Sequence, residues 1–289
     1  MTQILEKFKF LPDAGEIDKE LQSVKKNLAH WINRKNLSDC LGYMDLTSLH
    51  STDTRETVAE LAGKVNNFKT SYPDYPYPAS VCIYSNLGKT VKETLTAKGV
   101  HTTVVSGCFP SSQSFPEVKK LECKMAAADG ADEIDIVLAL NHFMNNEFDD
   151  ASKEISDIKA IVGDITLKVI LETGALSTPE NIATASFLAM ESGADFIKTS
   201  TGKLEPAATP MAAIVMCKCI KKYYEATGRK IGFKAAGGIS TSKDAISYLA
   251  IVDTILGKDW LTPSLFRIGA SRLARNLLCD LEQSTVNYY

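Results

Sequence analysis

The chain has 289 residues, 45% hydrophobic and 23% charged, the balance of a globular protein long enough for one large core or two smaller ones. A net charge of −3 excludes the broad basic field used by nucleic-acid and membrane-surface binders, so small-molecule chemistry is expected. The start, Met1 to Lys7, lacks the basic-then-apolar pattern of a signal peptide, and no apolar run approaches the roughly 20 residues of a membrane helix, so a cytosolic protein is expected. The seven cysteines (Cys40, Cys82, Cys108, Cys123, Cys217, Cys219 and Cys279) form no C-x-x-C and have no histidine at zinc-ligand spacing, so neither a metal nor a disulfide is implied.

Residues 17 to 34 place Ile17, Leu21, Val24, Leu28, Trp31 and Ile32 at amphipathic-helix spacing, which predicts a helix packed outside the main fold. From Leu41 onward, eight short apolar runs alternate with helical stretches: Leu41 to Thr47, Ala79 to Tyr84, Thr102 to Ser106, Glu133 to Ala139, Thr166 to Glu172, Phe196 to Ser200, Ile231 to Ala236 and Phe266 to Ala270. The runs are β-branched and nearly continuous, as in parallel strands covered on both faces. Capping residues or an N1 proline fall where strands end, at Ser51 to Asp53 before Thr54, Ser177-Thr178-Pro179-Glu180, Thr209-Pro210 and Ser240-Thr241. Eight β/α units over about 250 residues predict a single closed (β/α)8 TIM barrel, an α/β fold. An open doubly wound sheet would want a Gly-rich loop after its first strand, where this chain has Ser48-Leu49-His50-Ser51. The expected division is a helical extension over 1–38 and a barrel over 39–289.

Two of these runs contain a lysine: Lys198 in Asp195-Phe196-Ile197-Lys198-Thr199-Ser200, and Lys234 in Ile231-Gly232-Phe233-Lys234-Ala235-Ala236. An ammonium removed from water is costly unless paired or deprotonated. A desolvated lysine beside a second cation gives up its proton, and the free amine attacks carbonyls to form a Schiff base. The alternative is a pair of tethered lysines pointing outward at the strand ends. In a barrel of this kind the active site lies at the C-terminal ends of the strands, where the polar residues are Asp45, Thr47, Cys82, Asp135, Lys168 and Glu172 besides the two lysines. Period two puts Glu133, Asp135 and Val137 on one face, and a lumen-facing Asp135 would reach both lysines, as a proton carrier or as a structural ion pair. Gly-bearing turns follow strands six, seven and eight, at Gly202-Lys203, Gly237-Gly238 and Gly269-Ala270-Ser271. Their bare backbone N–H groups suit a phosphate.

Five segments then resemble the motifs of deoxyribose-phosphate aldolase, a family of class I, Schiff-base aldolases. They are Glu133-Ile134-Asp135-Ile136-Val137, Leu167 to Gly174, Gly193 to Lys203, Gly232 to Gly238 and Phe266 to Ser271. The likeness runs in order from Met44-Asp45-Leu46-Thr47 to the C-terminus. It implies a TIM barrel without a metal or cofactor that reversibly cleaves 2-deoxy-D-ribose 5-phosphate into D-glyceraldehyde 3-phosphate and acetaldehyde, in deoxyribonucleotide catabolism. It further implies Lys198 as the Schiff-base lysine, Asp135 and Lys234 as its proton-relay pair, and Asp45, Thr47, Cys82, Lys168 and Thr199 as substrate contacts. Gly202, Lys203, Gly237, Gly238, Gly269 and Ser271 fall on phosphate-binding positions. Chains of the family often end in a tyrosine that folds back to the active site, which makes Tyr289 a candidate relay, and a homodimer is implied by analogy.

Two departures stand out. Ser240 occupies a position where relatives often have arginine, and Arg272 one where they have serine. Arg272 is therefore expected to supply the missing phosphate-binding charge. Other readings are a lysine-dependent barrel aldolase for a different sugar phosphate, a phosphate-binding isomerase using a carboxylate with His50, His101 or His142, and an inactive barrel serving as a scaffold.

Overall fold

The computed structural model describes residues 2–289. Eight strands form a closed barrel in sequence order: β1 (Met44–Thr47), β2 (Ser80–Tyr84), β3 (His101–Val105), β4 (Glu133–Val137), β5 (Thr166–Ile170), β6 (Phe196–Lys198), β7 (Gly232–Ala236) and β8 (Phe266–Ala270). All neighbours are parallel, β8 closing against β1. The (β/α)8 architecture expected from the alternating runs is the one present.

Helices surround the barrel: α1 (Gln3–Lys7), α2 (Ala14–Asn27), α3 (Arg34–Gly42), α4 (Arg55–Ser71), α5 (Gly88–Thr94), α6 (Pro116–Ala128), α7 (Leu140–Met144), α8 (Phe148–Val162), α9 (Thr173–Leu176), α10 (Pro179–Glu191), α11 (Pro210–Thr227), α12 (Ser242–Leu256) and α13 (Leu273–Glu282). Their starts are chemically specified. The side chains of Thr54, Thr178, Thr209 and Thr241 each accept a backbone N–H of the first turn, and Pro116, Pro179 and Pro210 sit in the first turn, where an N–H has no helical partner. Among the described residues no helix is long and apolar enough to cross a membrane.

The N-terminal segment differs in detail from its periodicity. The helix expected over 17–34 is α2 followed by a single 3-10 turn at Leu28–His30, and the Asn33 side chain then caps α3. Leu41 and Gly42, read as strand, belong to α3, which runs through position 38. These helices lie on the outer layer. Phe8 stacks on Phe187 of α10 with ring centroids 4.4 Å apart, Lys218 of α11 reaches Glu16 and Glu20 of α2, and Trp31 Nε1 donates to Asp253 of α12 at 2.9 Å.

Strand register sets the depth of each lumen side chain. Ile170 lies level with Lys198, Lys198 with Lys234, and Lys234 with Arg267. Lys168, two residues before Ile170, therefore sits one layer lower.

Candidate active site

β4, β6 and β7 bring Asp135, Lys198 and Lys234 together in the lumen, all buried. Lys198 Nζ donates to Asp135 Oδ2 at 2.8 Å, and Lys234 Nζ donates to the same oxygen at 2.7 Å. Lys234 also pairs with Asp45 of β1. Alternation along the strands drives this convergence: the apolar neighbours of each charged residue point into the helical layer, and the charged side chain can point only into the barrel.

A further set of ion pairs adjoins this trio. Lys168 Nζ contacts Asp135 Oδ1 at 2.9 Å and Glu133 Oε2 at 2.6 Å. Arg267 bridges Glu133, at 2.6 Å, and Asp45. Hydroxyls complete the shell, Ser80 donating to Asp45 at 2.8 Å and Thr103 to Glu133 at 2.7 Å. Three buried carboxylates, Asp45, Glu133 and Asp135, thus face Lys168, Lys234 and Arg267, and a charged Lys198 would be a surplus cation in a medium that tolerates none.

The titration of these groups follows from that balance. Burial, and then the neighbouring Lys234 ammonium, lower the Lys198 pKa against the opposing pull of Asp135. Burial alone would lower Lys234 too, but Asp135 and Asp45 outweigh it and hold Lys234 charged. Burial would raise the Asp135 carboxyl, but Lys168, Lys198 and Lys234 keep it far below the usual carboxylate range. Burial and the Lys234 charge thus favour the neutral form of Lys198, while Lys234 is held charged and Asp135 ionised.

A cavity of about 290 Å³ opens above Lys198. Lys198 forms its floor, Thr47, Leu49 and His50 one side, and the turns after β6, β7 and β8 the other, with Gly202, Lys203, Gly237, Gly238, Gly269, Ser271 and Arg272 all lining it. Gly237 has φ +89°, and a Cβ there would come within 2.6 Å of Ala207 Cβ, so only glycine lets the two turns approach. Lys203 Nζ donates to Leu49 O, also in the lining, at 2.7 Å. Two cations and several backbone-rich turns at one end, with an amine at the other, suit a short phosphorylated carbonyl compound.

The residues expected at the site therefore divide in two. Thr47, Lys198 and the seven phosphate-turn residues line the cavity. Asp135, Lys234, Asp45, Cys82, Lys168 and Thr199 do not: Asp135, Lys234, Asp45 and Lys168 belong to the buried ionic network, Cys82 is buried against Leu49 and Val105, and Thr199 Oγ1 bonds Ala236 N and O between β6 and β7. Tyr289 is placed in the helical layer, its ring stacked on Phe68 of α4 at 5.7 Å, and not at Lys198. Arg267 was not anticipated, and His50, named only for the isomerase reading, lines the cavity. Arg267 carries the same signal as the lysines, a cation inside the apolar run Phe266-Arg267-Ile268, whereas a loop histidine such as His50 carries none. The other barrel histidines are engaged elsewhere, His101 with Glu133 and His142 with Glu147. His142, Glu147 and Asp150 could together hold a cation, but none of them lines the cavity.

Comparison with known proteins agrees with this geometry. Residues 40–255 match the model of the DeoC/LacD family aldolases. The chain is 39% identical over 271 residues to a Caenorhabditis elegans protein, covering 93% of this chain and 89% of the relative. It is 36% identical over 261 residues to the deoxyribose-phosphate aldolase of Homo sapiens, covering 85% and 79%. Among solved structures, an aldolase named QR15 superposes with a TM-score of 0.70 at 28% identity, covering 85% of this chain and 97% of that one. The chain belongs to the DeoC/LacD family of aldolases.

Proposed function

We propose that the protein cleaves 2-deoxy-D-ribose 5-phosphate reversibly to D-glyceraldehyde 3-phosphate and acetaldehyde through a Schiff base on Lys198. The observation that carries this reading is that Lys198 and Lys234 share one oxygen of Asp135, with Lys198 lining a cavity that Lys203, Arg272 and the glycine turns also line.

In the cleavage direction, the free amine of Lys198 attacks the C1 aldehyde of the open-chain sugar, and loss of water gives an iminium. The relay of Asp135 and Lys234 takes the proton of the C3 hydroxyl. The C2–C3 bond then breaks, its electron pair moving into a C1–C2 enamine while C3 becomes the aldehyde carbon of glyceraldehyde 3-phosphate. Returning the proton to C2 gives the acetaldehyde iminium, which water hydrolyses to acetaldehyde and Lys198. The ammonium of Lys234 favours the neutral form of Lys198 and, through the shared oxygen, aligns Asp135 for the transfer.

Phosphate recognition is assigned to Gly202, Lys203, Gly237, Gly238, Gly269 and Ser271, with Arg272 supplying the charge that Ser240 lacks. Thr47 is the residue best placed to touch the sugar. Asp45 and Lys168 act by fixing the charges of Lys234 and Asp135. The reduced cysteines, five of them buried, suit a cytosolic enzyme. Residues 1–38 are proposed as an extension that stiffens α10 to α12, and a homodimer remains the proposed assembly.

The test is incubation with 2-deoxyribose 5-phosphate and measurement of both aldehydes. Wild-type enzyme is expected to release them in equal amounts and Lys198→Ala to release neither. Equal release by Lys198→Ala would overturn the assignment.

A further inference from the structure

Glu172 follows the last residues of β5 and is buried, yet it makes no contact with the ionic network. Its backbone is left-handed, φ 55° and ψ 60°, a conformation that costs a non-glycine residue free energy and persists only where the surroundings impose it. Both carboxylate oxygens are used. Oε1 accepts from Thr201 N at 3.1 Å and Oε2 from Thr201 Oγ1 at 2.6 Å. Thr201 Oγ1 in turn accepts from Lys203 N at 3.0 Å. A continuous chain of hydrogen bonds thus runs from the end of β5 to Lys203, which lines the cavity and whose Nζ donates to Leu49 O. The same corner makes a second attachment: a Cβ on Gly174 would collide with the carbonyl oxygen of Pro206, so α9 abuts the far part of the turn after β6.

We infer that Glu172 is a positioning residue that fixes the turn after β6, Thr201 to Lys203, in the form that receives the phosphate group of the substrate. This rests on the aldolase reading given above. The geometry separates its effect from the chemistry at Lys198. The Glu172 side chain bonds only Thr201 of the turn, whereas Lys198 is held by Asp135. A turn free to move would carry Lys203 away from the phosphate while leaving the amine where it is. A carboxylate is required because a single acceptor group has to take both an N–H and an O–H in fork geometry.

The experiment is steady-state kinetics of Glu172→Ala, Glu172→Gln and Thr201→Val with 2-deoxyribose 5-phosphate, alongside borohydride trapping of acetaldehyde, which has no phosphate. Glu172→Ala is expected to raise KM about tenfold, the size of one lost charge-assisted hydrogen bond, with the trapping rate unchanged. Thr201→Val should do the same, and the double variant should add little, because both break one chain. Glu172→Gln keeps one acceptor but loses the charge and the second acceptor, and should raise KM by less than Glu172→Ala. Should Glu172→Ala fail to fold, Glu172→Gln and Thr201→Val carry the comparison. An unchanged KM in Thr201→Val, or a fall in acetaldehyde trapping equal to the loss of turnover, overturns the inference. Failure of wild-type enzyme to cleave the sugar phosphate at all would instead overturn the aldolase reading.

Discussion

Lys198 and Lys234 donate to a single oxygen, Asp135 Oδ2, at 2.8 and 2.7 Å. Two ammonium groups sharing one carboxylate oxygen cannot both be well compensated, and Lys234 has the additional partner Asp45. Lys198 has no second acid, and in the proposed mechanism it is therefore the free amine.

Removing Lys234 should therefore do more than slow the reaction. Without its charge the Lys198 amine loses one of the two influences that lower its pKa, while Asp135 continues to favour the ammonium. Lys234→Ala is expected to lose about 10²- to 10⁴-fold in kcat, with the rising limb of the kcat–pH profile displaced upward. A profile of unchanged shape would mean that Lys234 exerts no field on Lys198.

Asp135→Asn removes the negative charge that Lys168, Lys198 and Lys234 share and one of its two acceptor oxygens. Leaving buried charge uncompensated typically costs 3–5 kcal/mol, so this variant should lose about that much stability as well as its activity. Urea unfolding monitored by far-UV circular dichroism measures it. Full stability in an inactive enzyme would show that the network is not needed to hold the barrel.

The Asp45 ion pairs predict an acid limb. Burial pushes the Asp45 carboxyl up, but Lys234 and Arg267 prevail and bring it down to about 2, below the unfolded value of about 3.9. A carboxyl depressed by folding stabilises above its unfolded pKa, and that stability is lost as pH falls toward the folded one. Asp45→Asn should thus be markedly less stable than wild type near pH 7, and the gap should narrow between about pH 4 and pH 2. A gap that stays constant would exclude Asp45 from the linkage.

Arg272→Ala should raise KM for 2-deoxyribose 5-phosphate by about 10- to 100-fold, as for a lost charged phosphate contact, and leave acetaldehyde trapping intact. An unchanged KM would mean that Arg272 has not taken over the charge absent at Ser240.

The C-terminal tyrosine offers a sharper contrast. The Tyr289 hydroxyl is buried against Phe68 with no hydrogen-bond partner, so Tyr289→Phe should keep full turnover and be neutral or stabilising, since it deletes an unsatisfied polar group. A large loss of kcat would require the tail to leave Phe68 and reach the cavity during turnover.

Much of this was legible in the residues. The eight strands announced themselves as apolar β-branched runs, and Lys198, Lys234 and Asp135 as charges inside those runs. The depth of a side chain was not legible. Lys168 reads as a substrate contact until the β5–β6 register sets Ile170, not Lys168, level with Lys198. Thr199 likewise spends its hydroxyl on Ala236 across the strand gap, which no spacing encodes. His50 enters the cavity on a loop with no periodicity, and Tyr289 is positioned by the fit of the tail against α4.

The most direct measurement is borohydride reduction in the presence of acetaldehyde, followed by peptide mass spectrometry. An ethyl group on Lys198, in the peptide that holds Thr199 and Ser200, is the predicted result, with Lys234 and Lys168 unmodified. Alkylation of Lys234, or of no buried lysine, would contradict the assignment of Lys198 as the free amine.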